Sequence, residues 1–526
     1  MRWACRKIFS RAPERIRAAL PAALFAFLLC APDASARPVS ITVLHTTDLH
    51  GHFFPTTDYD GRPDMGGLLR CATRIREVRE ASPHVLLIDC GDLYQGAAES
   101  FLTDGQLMIQ ALDALKYDAW VIGNHEFDWG LGKMAALIES SATPMLSANM
   151  VSLPGRPHPF PRIRPFRIVE RDGVRVAIVG LITPAVPTWS TPDLIGDARF
   201  ERSVDALKRI MPLVRAEEPD VLLLATHQGY KRQGDDHANE INAIARQFPE
   251  FDAIIGGHSH QPIPEAWIEG KLLYTQAGYH GIWLGQLDLV YDTVQRRVVH
   301  KSARLHEMGP EVPPDAELSA RFEKELKRAQ EYLTRRVGRA EDRFTWTPDE
   351  FGSSPVQRLL ARALAEASGA PLVLHGILDE TDLNPGDIRM ADVWRIVPYE
   401  NRVAVLQVTP SELLEILSEN AEQRRAHAFM GLHGARYRWE TDATGVRRPA
   451  GIVLADGTVP HPRQRLRLAI NSYVLASGGG RYTRLRAISE RPETRTRILD
   501  IDTRTAVIEY IRRNQPLRLA DVMGDE

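Results

Sequence analysis

Five short apolar runs in this 526-residue chain each end in side chains that can bind a metal or move a proton. "ITVLHTTDLHGHF" ends in Asp48 and His50, "HVLLIDCGD" in Asp92, and "AWVIGNHEFD" in Asn124, His125 and Asp128. "VLLLATHQG" ends in His227, and "DAIIGGHSH" in His258 and His260. A single Asp-x-His in a loop is ordinarily solvated surface, because short motifs match by chance. Five such ends in one region point instead to a shared site, since loops at the carboxyl ends of strands converge in open α/β sheets. Asp48, His50, Asp92, Asn124, His227, His258 and His260 are seven oxygen and nitrogen donors, more than one open catalytic ion needs. They suit two divalent cations that share a carboxylate. The chemistry such a pair supports is hydrolysis of a phosphate ester.

The elements that must hold these residues follow from the pattern around them. From Ile41 onward, short β-branched runs alternate with amphipathic stretches, as in βαβ units whose strands are buried on both faces. "GGLLRCATRIREVREA", "GQLMIQALDALK" and "SVDALKRIMPLVRAEE" repeat apolar residues at helical spacing. "FRIVERDGVRVAIVGL" reads as a hairpin turned at Asp172-Gly173, which makes the sheet system mixed. The β pattern runs to about residue 308, and "GPEVPPD" interrupts it. The charged segment 315–338 reads as one connecting helix. Beyond it, "SPVQRLLARALAEASG" and "TPSELLEILSENAEQ" read as helices and "APLVLHG" as a strand. The expected division is 1–36 signal peptide, 37–310 first domain, 311–338 linker helix and 339–526 second domain.

The first 36 residues combine six basic side chains, an apolar run from Ala18 to Ala31 and an Ala34-Ser35-Ala36 exit. That is the form of a secretory signal, and the run is shorter than the ~20 residues that span a bilayer. The expectation is a periplasmic or secreted protein with no membrane attachment after cleavage. Removal of this segment takes away six positive and two negative charges and leaves the chain at −7. That balance, with no basic stripe, excludes a nucleic-acid-binding role. Only Cys71 and Cys90 remain, either as a disulfide or as two buried thiols; their places in a helical and a strand pattern favour thiols.

Taken in order and at their separations, "HTTDLHGHF", "DCGDLYQG", "GNHEFDWG", "ATHQG" and "GGHSHQ" resemble the secreted 5'-nucleotidase and UDP-sugar hydrolase family of binuclear metallophosphatases. The resemblance implies a mixed α/β (α+β) chain. It has a calcineurin-like sandwich of mixed β-sheets flanked by helices, a linking helix and a smaller C-terminal α/β substrate-binding domain. It assigns Asp48, His50, Asp92 and His260 to one metal and Asp92, Asn124, His227 and His258 to the other. It makes His125 the catalytic histidine and Asp128 the carboxylate that orients it; the competing role for Asp128 is a cap on the following helix. Glu126, His45 and His52 match no ligand position and read as structural. The donor set suits Mn, Zn, Mg or Fe alike.

In the second domain, "VWRIVPYENRVAVLQVTPSELLEILSEN" also resembles the family. Phe429 and Tyr482 fall where it places the two aromatic walls of a nucleobase slot, although aromatic rings more often simply pack a core. Three departures stand out. "LHGILDETDLNPGDI" replaces an Asn-Gly-Gly run followed by arginine, "GGGRY" lacks an Asp, and "SSPVQRLL" replaces a Glu- and Asn-rich helix start. Arg481 or Arg358 is the available compensation. The expected substrate is a small phosphate ester, most readily a nucleoside monophosphate. UDP-sugar, 2',3'-cyclic nucleotide and thiosulfonate hydrolysis are alternatives, and a catalytically silent binding protein is the alternative of a different kind.

Overall fold

The computed structural model describes residues 38–424, 429–441, 443 and 445–524; the expected signal peptide lies outside them. Two six-stranded sheets face each other in the first half of the chain. In the first, Pro38–Thr46, Val85–Asp89, Ala119–Val121 and Met145–Leu146 run parallel. Trp283–Asp292 and Arg297–Glu307 extend it antiparallel at one edge. In the second, Val174–Leu181, Val221–Thr226, Ala253–Gly256 and Leu272–Ala277 are parallel, with Phe166–Arg171 and Pro262–Ile268 antiparallel at the edges. Asp172 (φ 48°) and Gly173 (φ 78°) turn the expected hairpin, both left-handed as its two-residue turn requires.

Strand alternation explains why these runs are apolar throughout. Leu86 and Ile88 point between the sheets, as do Val221, Leu223 and Ala225 from the other side. Leu87 points out, to the core shared with helices Leu68–Ala81 and Gln106–Leu115. Leu224 points to the core under helix Ser203–Ala216. A strand covered on both faces has no solvent side on which to place polar residues. Cys71 and Cys90 are both buried free thiols, one in each of two separate cores.

The connecting segment differs from the single helix expected over 315–338. It forms two helices, Ala316–Arg321 and Glu323–Leu333, and then a strand, Arg336–Ala340. The break is Phe322, whose backbone (φ −110°, ψ 22°) leaves the helical region. Its ring enters the first domain's core and meets Phe53 edge-to-face at 5.5 Å. The segment therefore packs on the first domain through Leu318, Phe322 and Leu326. Residues 336–340 leave the helical pattern because they pair with Gly386–Arg389.

The second half is built on a five-stranded sheet ordered Gly431–His433, Leu372–His375, Leu466–Asn471, Arg402–Val408 and Arg497–Asp502. Helix Pro410–Glu422 covers one face and starts with a capping box between Thr409 and Glu412. Helix Pro355–Ser368 covers the other, capped by Ser354 and ended at left-handed Gly369. Ile255→Ala, at the buried seam between the two large sheets, is expected to destabilise the protein by about 2–5 kcal/mol in denaturant unfolding.

Candidate metal centre

All seven predicted donors emerge from strand ends at one edge of the two facing sheets. Asp48 and His50 follow Pro38–Thr46, Asp92 follows Val85–Asp89 and Asn124 follows Ala119–Val121, all in the first sheet. His227 follows Val221–Thr226, and His258 and His260 follow Ala253–Gly256, in the second. Chain crossing from sheet to sheet thus brings residues more than 200 apart into contact: His50 Nε2 lies 3.1 Å from His260 Nε2.

The donors fall into two groups, Asp48 with His50 and His260, and Asp92 with His227 and His258, the atoms within each group all lying within 4.8 Å of one another. Asp92 stands between them, its Oδ2 3.0 Å from His227 Nε2 and 3.8 Å from His50 Nε2. Asn124 Oδ1 joins the second group 3.2 Å from His227 Nε2. Asp48 Oδ1 lies 3.3 Å from His260 Nε2.

Hydrogen bonds on the far side of the rings decide what these atoms can bind. His50 Nδ1 donates to the Gln95 carbonyl at 3.0 Å and His227 Nδ1 to the Cys90 carbonyl at 2.8 Å. The donated proton occupies Nδ1, so in the neutral ring Nε2 carries a lone pair. Burial lowers His50 and His258 to about 3, which keeps both neutral. Burial also works against a charge on His227, but the Asp92 and Asp48 carboxylates raise it to about 9. Imidazole nitrogens facing each other and two buried carboxylates make a pocket that calls for positive charge. This donor set, nitrogen and oxygen with no thiolate, fits a pair of divalent cations.

The backbone is bent to aim these groups. Asp48, His50, Asp92, His258 and His260 all have positive φ, between 46° and 70°. Such a conformation costs an L-residue roughly 1–2 kcal/mol, and its concentration at five of seven donors marks strain retained for function. Gly123 shows how tight the fit is, because a Cβ there would sit 2.2 Å from Asp92 Oδ1. Glu126, which matched no ligand position, is buried and binds three backbone N–H groups: Gly123 at 2.6 Å, Leu93 at 2.7 Å and Asp92 at 3.0 Å. It ties the Asp92 loop to the Asn124 loop. His45 is buried, and the His52 ring packs tilted against His280 with centroids 3.8 Å apart; neither joins the donor groups.

His125 Nδ1 is 2.6 Å from Asp128 Oδ2, and its backbone N–H donates to Asp92 Oδ1 at 2.8 Å. Asp128 caps nothing: helix Gly130–Ser140 begins after Trp129 and has no side-chain cap. Burial opposes a charge on His125, yet Asp128 and Asp92 raise it to about 10. Its ring stacks on Tyr399 of the second domain, centroids 5.8 Å apart.

A cavity of about 490 Å³ joins the metal end to the second domain. Asp92, Asn124, His125, His258 and His260 line one end, and Tyr473, Arg481 and Tyr482 line the other. Phe429 is buried, and Met430 beside it lines the cavity instead. Trp189 and Tyr399 also line it, and neither had been given a role; Tyr399 sits in "VPYENR", within the segment that resembled the family. Arg481 donates to the Tyr473 hydroxyl at 2.5 Å. Arg358 lies elsewhere, bonded to Ser353 at the rim of a separate cavity. Glu400 bridges the domains, accepting from Gln95 at 2.8 Å and Trp129 at 3.3 Å while paired with Arg504 at 2.6 Å.

Fold and site together define a metal-dependent phosphohydrolase. Residues 41–262 match the calcineurin-like phosphoesterase model, and residues 336–487 match the 5'-nucleotidase C-terminal domain. The chain belongs to the calcineurin-like phosphoesterases that carry this C-terminal domain. Protein UshA of Escherichia coli is 26% identical over 77% of this chain and 81% of its own length. The trifunctional nucleotide phosphoesterase protein YfkN of Bacillus subtilis is 24% identical over 86% of this chain, which spans only 36% of that protein. A putative 5'-nucleotidase structure from Staphylococcus aureus has the same fold, with a TM-score of 0.76 at 20% identity over 91% of this chain and 98% of the other.

Glu126→Gln places an amide N–H₂ among three N–H donors. It is expected to weaken divalent-metal binding about 10–100-fold, measured by metal titration of the chelated protein, while the fold persists by circular dichroism.

Proposed function

We propose that this protein is a periplasmic or secreted 5'-nucleotidase that releases inorganic phosphate from nucleoside monophosphates. The observation that carries this reading is the single cavity with metal donors at one end and aromatic side chains at the other. Residues 37–310 hold two divalent cations, 311–338 connect, and 339–526 grip the alcohol portion of the ester. Asp48, His50, Asp92 and His260 hold one cation; Asp92, Asn124, His227 and His258 hold the other, with Asp92 shared. When bound, two such cations activate water at neutral pH and clamp the phosphoryl oxygens in line for displacement.

The chain's own residues supply the rest. Asp128 and Asp92 favour the protonated form of His125 against the effect of burial, and in that form it can hydrogen-bond a phosphoryl oxygen and give its Nε2 proton to the departing alcohol oxygen. Asp128 fixes the ring by holding Nδ1, which directs Nε2 to the cavity. Tyr399 covers one face of the imidazole. Tyr473 offers ring surface for a base, with Arg481 beside it, whereas Tyr482 reaches the same wall but is packed almost wholly in the core. The names of the nucleotide phosphoesterase YfkN and of the 5'-nucleotidase relatives support this substrate class. Among the described residues no helix is long and apolar enough to cross a membrane.

The complete donor set and the His125–Asp128 pair favour catalysis over a silent binding role. Purified protein is expected to release phosphate from AMP and UMP in the presence of Mn²⁺ and to stop when a chelator is added. Phosphate assay is the measurement, and absence of turnover for every ester tried would return the binding-protein reading. His125→Asn is expected to lower kcat by about 10²–10⁴-fold with metal content unchanged.

A further inference from the structure

We propose that Tyr59 is the positioning residue of the ligand His260: its phenol oxygen holds the far nitrogen of that imidazole and so sets how tightly the Asp48, His50 and His260 position binds its cation. The inference rests on the two-cation reading above and adds a residue outside the seven donors.

A ligand imidazole presents one nitrogen to the cation and needs the other held to fix the ring. His50 and His227 are held by backbone carbonyls, of Gln95 at 3.0 Å and Cys90 at 2.8 Å. At His260 a side chain takes that place, with Tyr59 Oη 3.1 Å from Nδ1. His260 Nε2 is turned toward the other donors, 3.3 Å from Asp48 Oδ1 and 3.1 Å from His50 Nε2. A ring that gives Nε2 to a cation carries its hydrogen on Nδ1, and a phenol oxygen can accept it. The need for such a partner is greatest here, because the His260 side chain is 25% exposed while those of His50 and His227 are nearly sealed from water.

The chain builds a support for this one phenol. Residues 56–65 form a loop closed by two backbone hydrogen bonds between Thr56 and Met65. Inside it the buried Asp58 carboxylate accepts from the backbone of Asp60 and Arg62 and from Arg62 Nε, and Arg62 reaches on to Glu307 at 2.7 Å. The turn lays Tyr59 on the buried Tyr279: the rings stack with centroids 4.1 Å apart, and the Tyr59 N–H donates to the Tyr279 hydroxyl at 3.1 Å. Tyr59 itself is 58% exposed, so it fills no core. Its replacement leaves the apolar packing of the fold in place.

The test is calorimetric titration of the chelated protein with Mn²⁺ in wild type, Tyr59→Phe, Tyr59→Leu and His260→Ala. Tyr59→Phe keeps the ring for stacking on Tyr279 and removes only the acceptor. Wild type is expected to bind two ions, and Tyr59→Phe to weaken by about tenfold the one binding event that His260→Ala abolishes, with the other unchanged. Phosphate release by Tyr59→Phe is then expected to need about tenfold more Mn²⁺ and to regain the wild-type kcat at saturation. Loss confined to Tyr59→Leu, weakening of the other ion, or a kcat that stays low at saturating Mn²⁺ would each overturn the inference. Two ions held as tightly by Tyr59→Phe as by wild type sink this proposal alone, whereas a wild type that binds fewer than two sinks the two-cation reading with it.

Discussion

Everything near the active edge of this protein follows from one electrostatic constraint: lone pairs and carboxylates converge where only positive charge can reconcile them. His50 and His260 Nε2 atoms stand 3.1 Å apart, with Asp48 and Asp92 beside them. In water such groups would separate or protonate; the surrounding fold blocks the first, and for His50 burial opposes the second. The fold must hold the donors in this crowded arrangement before any cation arrives. It does so with two sheets whose apolar seam is filled by Ile88, Leu223, Ile255 and their neighbours. That rigid support lets five donors sit in left-handed backbone conformations.

The same constraint extends outward through hydrogen bonds. Glu126 gathers three N–H groups and joins the loops of Asp92 and Asn124, so two donors from separate strands are tied together. Gln95 orients His50 with its carbonyl and reaches Glu400 with its amide, which links ligand geometry to the second domain. Tyr399, the neighbour of Glu400, lies on the His125 ring. Contact between the domains and the packing of His125 therefore share one short segment, Tyr399-Glu400.

Much of this was readable from the chain because strand ends in α/β sheets are where side chains converge, and five such ends carried donors. Asp48 through His260 were all brought together as expected, and the Asp172-Gly173 turn and Thr409 cap formed as local chemistry dictates. The break at Phe322 was not readable, since helical periodicity records which faces are apolar and is blind to a ring that a distant Phe53 draws inward. Glu126 could be set aside as a non-ligand, but its grip on three backbone groups depends on where two other loops lie. Tyr399 and Trp189 enter the cavity only through the way the domains meet, which no local pattern encodes. The second domain's departures in "LHGILDE" were visible, whereas the place of Asp379 and Glu380 in the cavity wall needed the fold.

The central claim is that Asp92 is shared by two cations. Elemental analysis of the purified protein, before and after Asp92→Asn, tests it most directly. The account predicts two divalent ions per wild-type chain and a loss from both groups in the variant, with phosphate release falling in parallel. A wild-type enzyme fully active with a single ion, or a variant that keeps two ions tightly, would contradict it.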